Sequence, residues 1–88
     1  MAYDYETERA DVLSDEGQRD FLKVRDHVFK TLNLAGVITM EKAIKPLTGR
    51  VWLMMAHVDR LVEIGEIVEI DQGECPAQYR IFRRTPNG

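Results

Sequence analysis

The sequence predicts one small α+β domain in which three helices and a short extended piece precede a two-stranded β-hairpin. Up to Gly65 the apolar residues recur with the spacing of about 3.6 residues that places them on one face of a helix. Beyond Gly65 the spacing changes to about 2, as in strands. The chain has 88 residues, 44% of them hydrophobic, which suits one core. We therefore expect a domain over residues 14–84.

Residues 1–13 are predicted to form an acidic, flexible or loosely docked arm. They have no apolar period long enough to define a packed helix. Residues 1–20 carry seven acidic residues against Arg9 and Arg19, a net charge of −5 in a chain of net charge −3. The rest of the chain is mildly basic by comparison. Residues 85–88 are expected to fray.

The first helix is predicted to begin after Ser14 or Asp15, which can cap it. It ends within residues 33–36, where Gly36 follows the last apolar position. One stripe of this helix faces the core, and its members recur at helical spacing: Phe21, Val24, Val28, Phe29 and Leu32.

The second helix is predicted to span about two turns from Met40 to Lys45, after a short extended piece at residues 37–38 and a capping Thr39. Pro46 ends it. Thr48 is the expected cap of the third helix, which runs to Gly65. The apolar face of this third helix contains Val51, Met54, Val58, Leu61 and Ile64.

The hairpin is predicted from two β-prone segments, residues 67–70 and 78–83. The turn formers of residues 71–77 separate them. This loop contains Cys75, the one cysteine of the chain, which we interpret as an exposed thiol without a set role.

Several classes of function are disfavoured by composition. A chain this short cannot enclose a large substrate pocket, and neither His27 nor His57 has a Ser or Cys nucleophile beside it. One cysteine allows no intrachain disulfide, and no spacing of Cys and His residues offers a tetrahedral metal site. We expect no enzyme, no catalytic residue, no cofactor and no metal. The first residues are acidic and lack an apolar segment, so we expect no signal peptide. No apolar run reaches the about 18 residues of a membrane span, and the expected location is cytoplasmic.

The order helix, short strand, helix, turn, helix, hairpin resembles the winged-helix group of helix-turn-helix domains. Residues 58–68, VDRLVEIGEIV, look like the end of a recognition helix and the start of the wing in bacterial or phage regulators. Residues 37–39 resemble the short strand and capping threonine before their second helix. The resemblance covers residues 15–84. It implies a winged helix that binds double-stranded DNA, as a small transcriptional regulator would, with its third helix in the major groove.

The residues that would contact DNA under this hypothesis are mostly cations, suited to phosphates and guanine edges. They are Lys42, Lys45, Thr48, Arg50, His57, Arg60, Arg80, Arg83 and Arg84. The side of the third helix turned toward DNA, carried over by position, would comprise Arg50, Trp52, Leu53, Met55, Ala56, His57, Arg60 and Glu63. Against this hypothesis, the hairpin also carries acids that would repel phosphates.

The alternative function is a winged-helix module that binds another protein. Trp52, Leu53 and Met55 would form an apolar patch on the third helix, and the acidic arm would be a second contact. A homodimer is left open by the sequence, as is the question of whether the arm covers the basic segment. The same apolar residues are equally compatible with ordinary core packing.

Overall fold

The computed structural model describes residues 3–47, 49–70 and 79–86, and within them the chain forms four helices and three strands. The predicted α+β class is confirmed, with one helix more than expected. The elements, in order, are α1 (Tyr5–Val12), α2 (Asp15–Ala35), β1 (Ile38–Thr39), α3 (Met40–Ile44), α4 (Val51–Glu63), β2 (Ile67–Ile70) and β3 (Ile81–Arg84). No helix in the described part of the chain combines the length and apolarity needed to cross a membrane.

The three strands form one antiparallel sheet in the order β1-β3-β2. Phe82 of the central strand β3 lies opposite Ile38 of β1 and Glu69 of β2. The expectation of a two-stranded hairpin was therefore incomplete, because the short extended piece joins the hairpin as a third strand. The expected loop at residues 71–77, with Cys75, and the first residue of the predicted last strand, Gln78, lie outside the described residues.

Local capping explains where the helices start and stop. Ser14 accepts a hydrogen bond from the Gly17 amide at the start of α2 (3.0 Å), and Gly36 ends α2 in the left-handed conformation (φ 81°). Thr39 accepts from the Lys42 amide and caps α3 (3.2 Å). Residue 48 lies outside the described residues, and the N-cap position of α4 is occupied by Arg50, whose side chain makes no capping hydrogen bond.

The core lies between α2, α4 and the sheet. Phe82, Leu61, Ile67 and Val28 are each 0% exposed. The residues predicted for the core-facing stripe of α2 pack there, with Val24, Val28 and Leu32 buried and Phe21 and Phe29 partly buried. This apolar packing is the main stabilising contribution in a domain of this size.

Helix α1 replaces the loosely docked arm expected over residues 1–13. Asp4 caps it, its side chain accepting from the Glu6 amide, and the helix packs mainly against α4. Its buried residues are Glu8 (7% exposed) and Val12 (1%). Only one aliphatic side chain is buried, which explains why no apolar period marks this helix in the sequence. An isolated eight-residue helix is unstable in water, so its contacts with α4 stabilise α1.

Gly17 allows α1 and α2 to approach closely. A Cβ atom at this position would lie 2.6 Å from the Val12 carbonyl oxygen and would also collide with that of Asp11. Both obstacles are backbone atoms, which cannot rotate away. A glycine in the first turn of a helix, where it usually costs stability, therefore has a packing reason here.

The C-terminal end is hydrogen-bonded further than expected. Thr85, placed in the frayed segment by the sequence, donates its hydroxyl to the Gly65 carbonyl (2.6 Å). Its amide donates to the Glu66 carbonyl (3.2 Å). Hydrogen bonding between the β3 end and the start of β2 therefore extends at least one residue past residue 84.

Candidate functional site

Helix α4 has two opposite faces. Met54, Val58 and Leu61, spaced by four and three residues, face the core. The opposite face, hereafter the outward face, consists of residues spaced by four, three and four: Trp52, Ala56, Asp59 and Glu63. In a helix that reads DNA, a face of this kind would enter the major groove.

Helix α1 and the preceding Tyr3 cover part of the outward face. Ala56 is 0% exposed although it points away from the core. The Tyr3 hydroxyl donates to Asp59 Oδ2 (2.5 Å), and the Tyr5 hydroxyl donates to Glu63 Oε1 (2.7 Å). Arg9 Nε donates to Glu63 Oε2 (3.0 Å). Two tyrosines and one arginine from the N-terminal segment thus bind both acids of this face.

These contacts change the titration of the groups involved. The hydrogen bond from Tyr5, with those from Arg60 and Arg9, lowers the pKa of Glu63 to about 2. Burial and the hydrogen bond to Glu63 raise the pKa of Tyr5 to about 12. Burial and the hydrogen bond to Asp59 likewise raise the pKa of Tyr3. At neutral pH Glu63 is therefore charged and the tyrosines are donors.

Arg50 is bound by the acids of α1. Its Nη2 lies 2.8 Å from Asp11 Oδ2 and 3.2 Å from Glu8 Oε1. Glu8 is buried, whereas the Arg50 and Asp11 side chains are each 61% exposed. Water screens exposed ion pairs of this kind, so this contact contributes little energy. It nevertheless occupies Arg50, one of the residues predicted to contact DNA.

Three further predicted DNA contacts are also engaged within the chain. Arg80 binds Asp59 (2.7 Å) and Glu69 (2.9 Å). Burial lowers the pKa of Arg80, but the hydrogen bonds to these two carboxylates outweigh it and raise the pKa above its ordinary value. Arg60 binds Glu63 (2.5 Å). The Arg84 guanidinium lies over the Phe29 ring, 4.5 Å from its centroid, and donates to Asn33 (2.7 Å).

His57 lies in the interior. It is 0% exposed, and its ring centroid is 6.2 Å from that of Phe21. Neither ring nitrogen has a hydrogen-bond partner among the described residues. Burial lowers the pKa of His57, and the nearby charge of Asp20 opposes this only in part. A neutral imidazole surrounded by apolar groups is not placed to touch a phosphate, so the assignment of His57 to a DNA-binding face is corrected to a core position.

The remaining predicted cations are exposed and lie away from the outward face. Lys42 belongs to α3, Lys45 follows it, and Arg83 is on β3. Within residues 3–47, 49–70 and 79–86 none of these three forms an ion pair. Thr48, the ninth predicted contact, is outside the described residues.

The predicted apolar patch is only partly exposed. Met55 is buried (6% exposed) and Leu53 packs against the core, whereas Trp52 is 37% exposed. Val51, which the sequence interpretation assigned to the core-facing side, is 59% exposed. The exposed apolar surface at the start of α4 is therefore the pair Val51 and Trp52.

Sequence reasoning missed Asp59, Tyr3 and Tyr5 as functional neighbours of α4. One signal was available: Trp52, Ala56, Asp59 and Glu63 share a helical face that carries two acids and no cation. Nothing local to residues 3 and 5 indicates which distant acid they bind.

Comparison with protein-family models, with curated proteins and with solved structures found no match. Among the described residues, no group of three or more His, Cys, Asp or Glu side chains is placed to hold a metal ion.

Proposed function

We propose that this chain is a winged-helix domain that acts as a protein–protein interaction module. Support for the winged-helix assignment comes from the order α2, β1, α3, α4, β2, β3 and from a sheet in which β1 lies beside β3. Helix α1 is then an addition that precedes the winged-helix elements and binds their third helix.

The single observation that carries the functional proposal is the composition of the outward face of α4 and its partial coverage by α1. Base edges and phosphates are read by cations and by polar side chains that donate hydrogen bonds. This face instead presents Trp52, Ala56, Asp59 and Glu63, and α1 covers part of it. Displacement of α1 would expose two carboxylates, which repel phosphates.

The proposed contact surface is the pair Val51 and Trp52 at the start of α4. A partly exposed tryptophan offers a large apolar area and one hydrogen-bond donor, and such residues dominate many protein interfaces. Val51 extends the apolar area. The partner expected here is a protein with an apolar pocket that accepts the indole ring.

Photocrosslinking tests this surface directly. A photoreactive phenylalanine analogue is placed at position 52, and at position 34 as a control, since Leu34 is 85% exposed on another helix. We expect a covalent adduct with a protein other than this chain at position 52 only, reduced at least about tenfold by Val51→Glu. An adduct equal at both positions would contradict the proposal.

A second candidate function, DNA binding by a small transcriptional regulator, is favoured by the exposed Lys42, Lys45 and Arg83. Fluorescence anisotropy of mixed-sequence duplex DNA at low and moderate salt separates the two. Under the protein-binding proposal the intact chain shows no salt-sensitive binding, and neither does a Glu8→Gln, Asp11→Asn variant that frees Arg50. Salt-sensitive binding that Lys42→Ala and Lys45→Ala weaken would support the regulator instead.

A further inference from the structure

Helix α2 carries an exposed face with an ordered sequence of charges. Asp15, Arg19, Leu22, Asp26 and Lys30, spaced by four, three, four and four residues, lie along one side of this 21-residue helix; we call them the α2 stripe. All five side chains are exposed, and Leu22 is 59% exposed. Among the described residues none of the four charged members forms an ion pair.

The charges of the α2 stripe are complementary to those of a second α2 stripe that runs antiparallel to it. The centre of this symmetry lies midway between Leu22 and Lys23. Arg19 and Asp26 are equally far from it on opposite sides, and so are Asp15 and Lys30. With a rise of 1.5 Å per residue, the two pairs lie about 5 Å and about 11 Å from that point. Two antiparallel copies of α2 would therefore place each charge opposite its counter-charge.

An apolar groove adjoins Leu22. It has a volume of about 400 Å³ and lies between the end of α1, the first half of α2 and the end of α4. Leu13 (36% exposed) and Ile64 (43% exposed) line it together with Phe21. In a two-fold antiparallel pair the grooves of both copies lie on the same side of the contact, so they meet beside the two leucines.

We infer that a second copy of this chain binds along the α2 stripe, forming an antiparallel two-fold dimer with Leu22 at its centre. Two-fold contacts require a self-complementary surface, and this stripe has one. Four intermolecular ion pairs, Arg19 with Asp26 and Asp15 with Lys30 in each direction, fix the register. The two leucines and the adjoining grooves supply apolar burial. None of these residues belongs to the Val51 and Trp52 surface, so the inference does not depend on the function proposed above.

The oligomeric state of the intact chain tests this inference. Sedimentation equilibrium should show a dimer, and Leu22→Glu should raise its dissociation constant at least about tenfold. Val37→Glu, at an exposed apolar position outside α2 (45% exposed), is the control and should leave the constant unchanged. A monomer at concentrations up to about 0.5 mM, or a dimer insensitive to Leu22→Glu, would overturn the inference.

A charge exchange tests the antiparallel register. Arg19→Glu and Asp26→Arg should each weaken the dimer about tenfold, because each variant places two like-charge pairs across the axis. The double variant should return the dissociation constant to within about threefold of the original chain. Positions 19 and 26 are seven residues apart and do not contact each other within one helix, so rescue reports contacts between copies. Absence of rescue, with both single variants folded by circular dichroism, would overturn the register.

Discussion

The two faces of helix α4 are buried by different means. On the core-facing side Met54, Val58 and Leu61 pack against aliphatic and aromatic side chains of α2 and the sheet. On the outward face Ala56 is also 0% exposed, and Tyr3 and helix α1 bind Asp59 and Glu63 through hydrogen bonds and an ion pair. One helix is therefore held in the interior by apolar burial and covered on its other side by polar contacts.

This difference shows that burial alone does not identify the core of this domain. Apolar burial contributes about 25 cal/mol for each Å² removed from water, whereas exposed ion pairs contribute about 0–1 kcal/mol each. We expect the core-facing side to determine global stability. The α1 contact should open at lower free energy, as a local event.

The largest effect is expected on the core-facing side. Leu61→Ala, at a position with 0% exposure, should lower the free energy of unfolding by about 2–5 kcal/mol through lost burial and a residual cavity. Urea denaturation followed by circular dichroism measures it. Leu34→Ala, at a position 85% exposed, is the matched leucine control and should change stability by less than about 0.5 kcal/mol. Equal effects at both positions would contradict the assignment of the core.

A smaller effect is expected beneath α1. Ala56→Leu adds three carbon atoms at a position with 0% exposure on the α4 face toward α1, so overpacking should cost about 1–3 kcal/mol. The strain should be relieved by displacement of α1, with α2 and the sheet intact. Hydrogen exchange should therefore become faster in residues 5–12 and stay unchanged around Phe82. Val51→Leu, on the same helix but 59% exposed, is the control. Uniformly faster exchange would show that the two faces are not independent.

The contrast between the faces also explains how far the sequence predicts the fold. The apolar periods of α2 and α4, the caps at Ser14 and Thr39, and the terminating Gly36 are local signals, and the structure has these elements. The pairing of β1 with β3 depends on contacts between residues about 40 positions apart, which no local pattern encodes.

The candidate site was less predictable for the same reason. An apolar face on a helix indicates burial but not the element that causes it. The structure places His57 and Met55 inside, whereas the sequence pattern allowed both to be exposed. Helix α1 escaped prediction because its polar contacts reach residues more than 50 positions away, such as Tyr5 with Glu63. A second local hint was Gly17, which is needed for the approach of α1 to α2.

The smallest effect concerns the polar contact itself. Glu63 accepts hydrogen bonds from Tyr5, Arg60 and Arg9, which lower its pKa from 4.5 to about 2. A carboxyl whose pKa is lower in the folded chain stabilises the fold above its unfolded pKa, and this contribution is lost as pH falls from about 4.5 to about 2. Glu63→Gln should therefore weaken α1 docking at pH 7, by less than Ala56→Leu, and make it less dependent on pH in that interval.

Hydrogen exchange of residues 5–12, measured from pH 7 down to pH 3, checks this expectation. The control variant is Glu41→Gln on α3. Glu41 is exposed and forms no ion pair among the described residues. In the original chain and in the Glu41 variant, protection of α1 relative to α2 should fall as the solution is acidified. In the Glu63→Gln variant the protection of α1 relative to α2 should be lower at pH 7 and should change less as the solution is acidified. A ratio that falls equally in all three chains would show that Glu63 is not the source of the pH dependence of α1 docking.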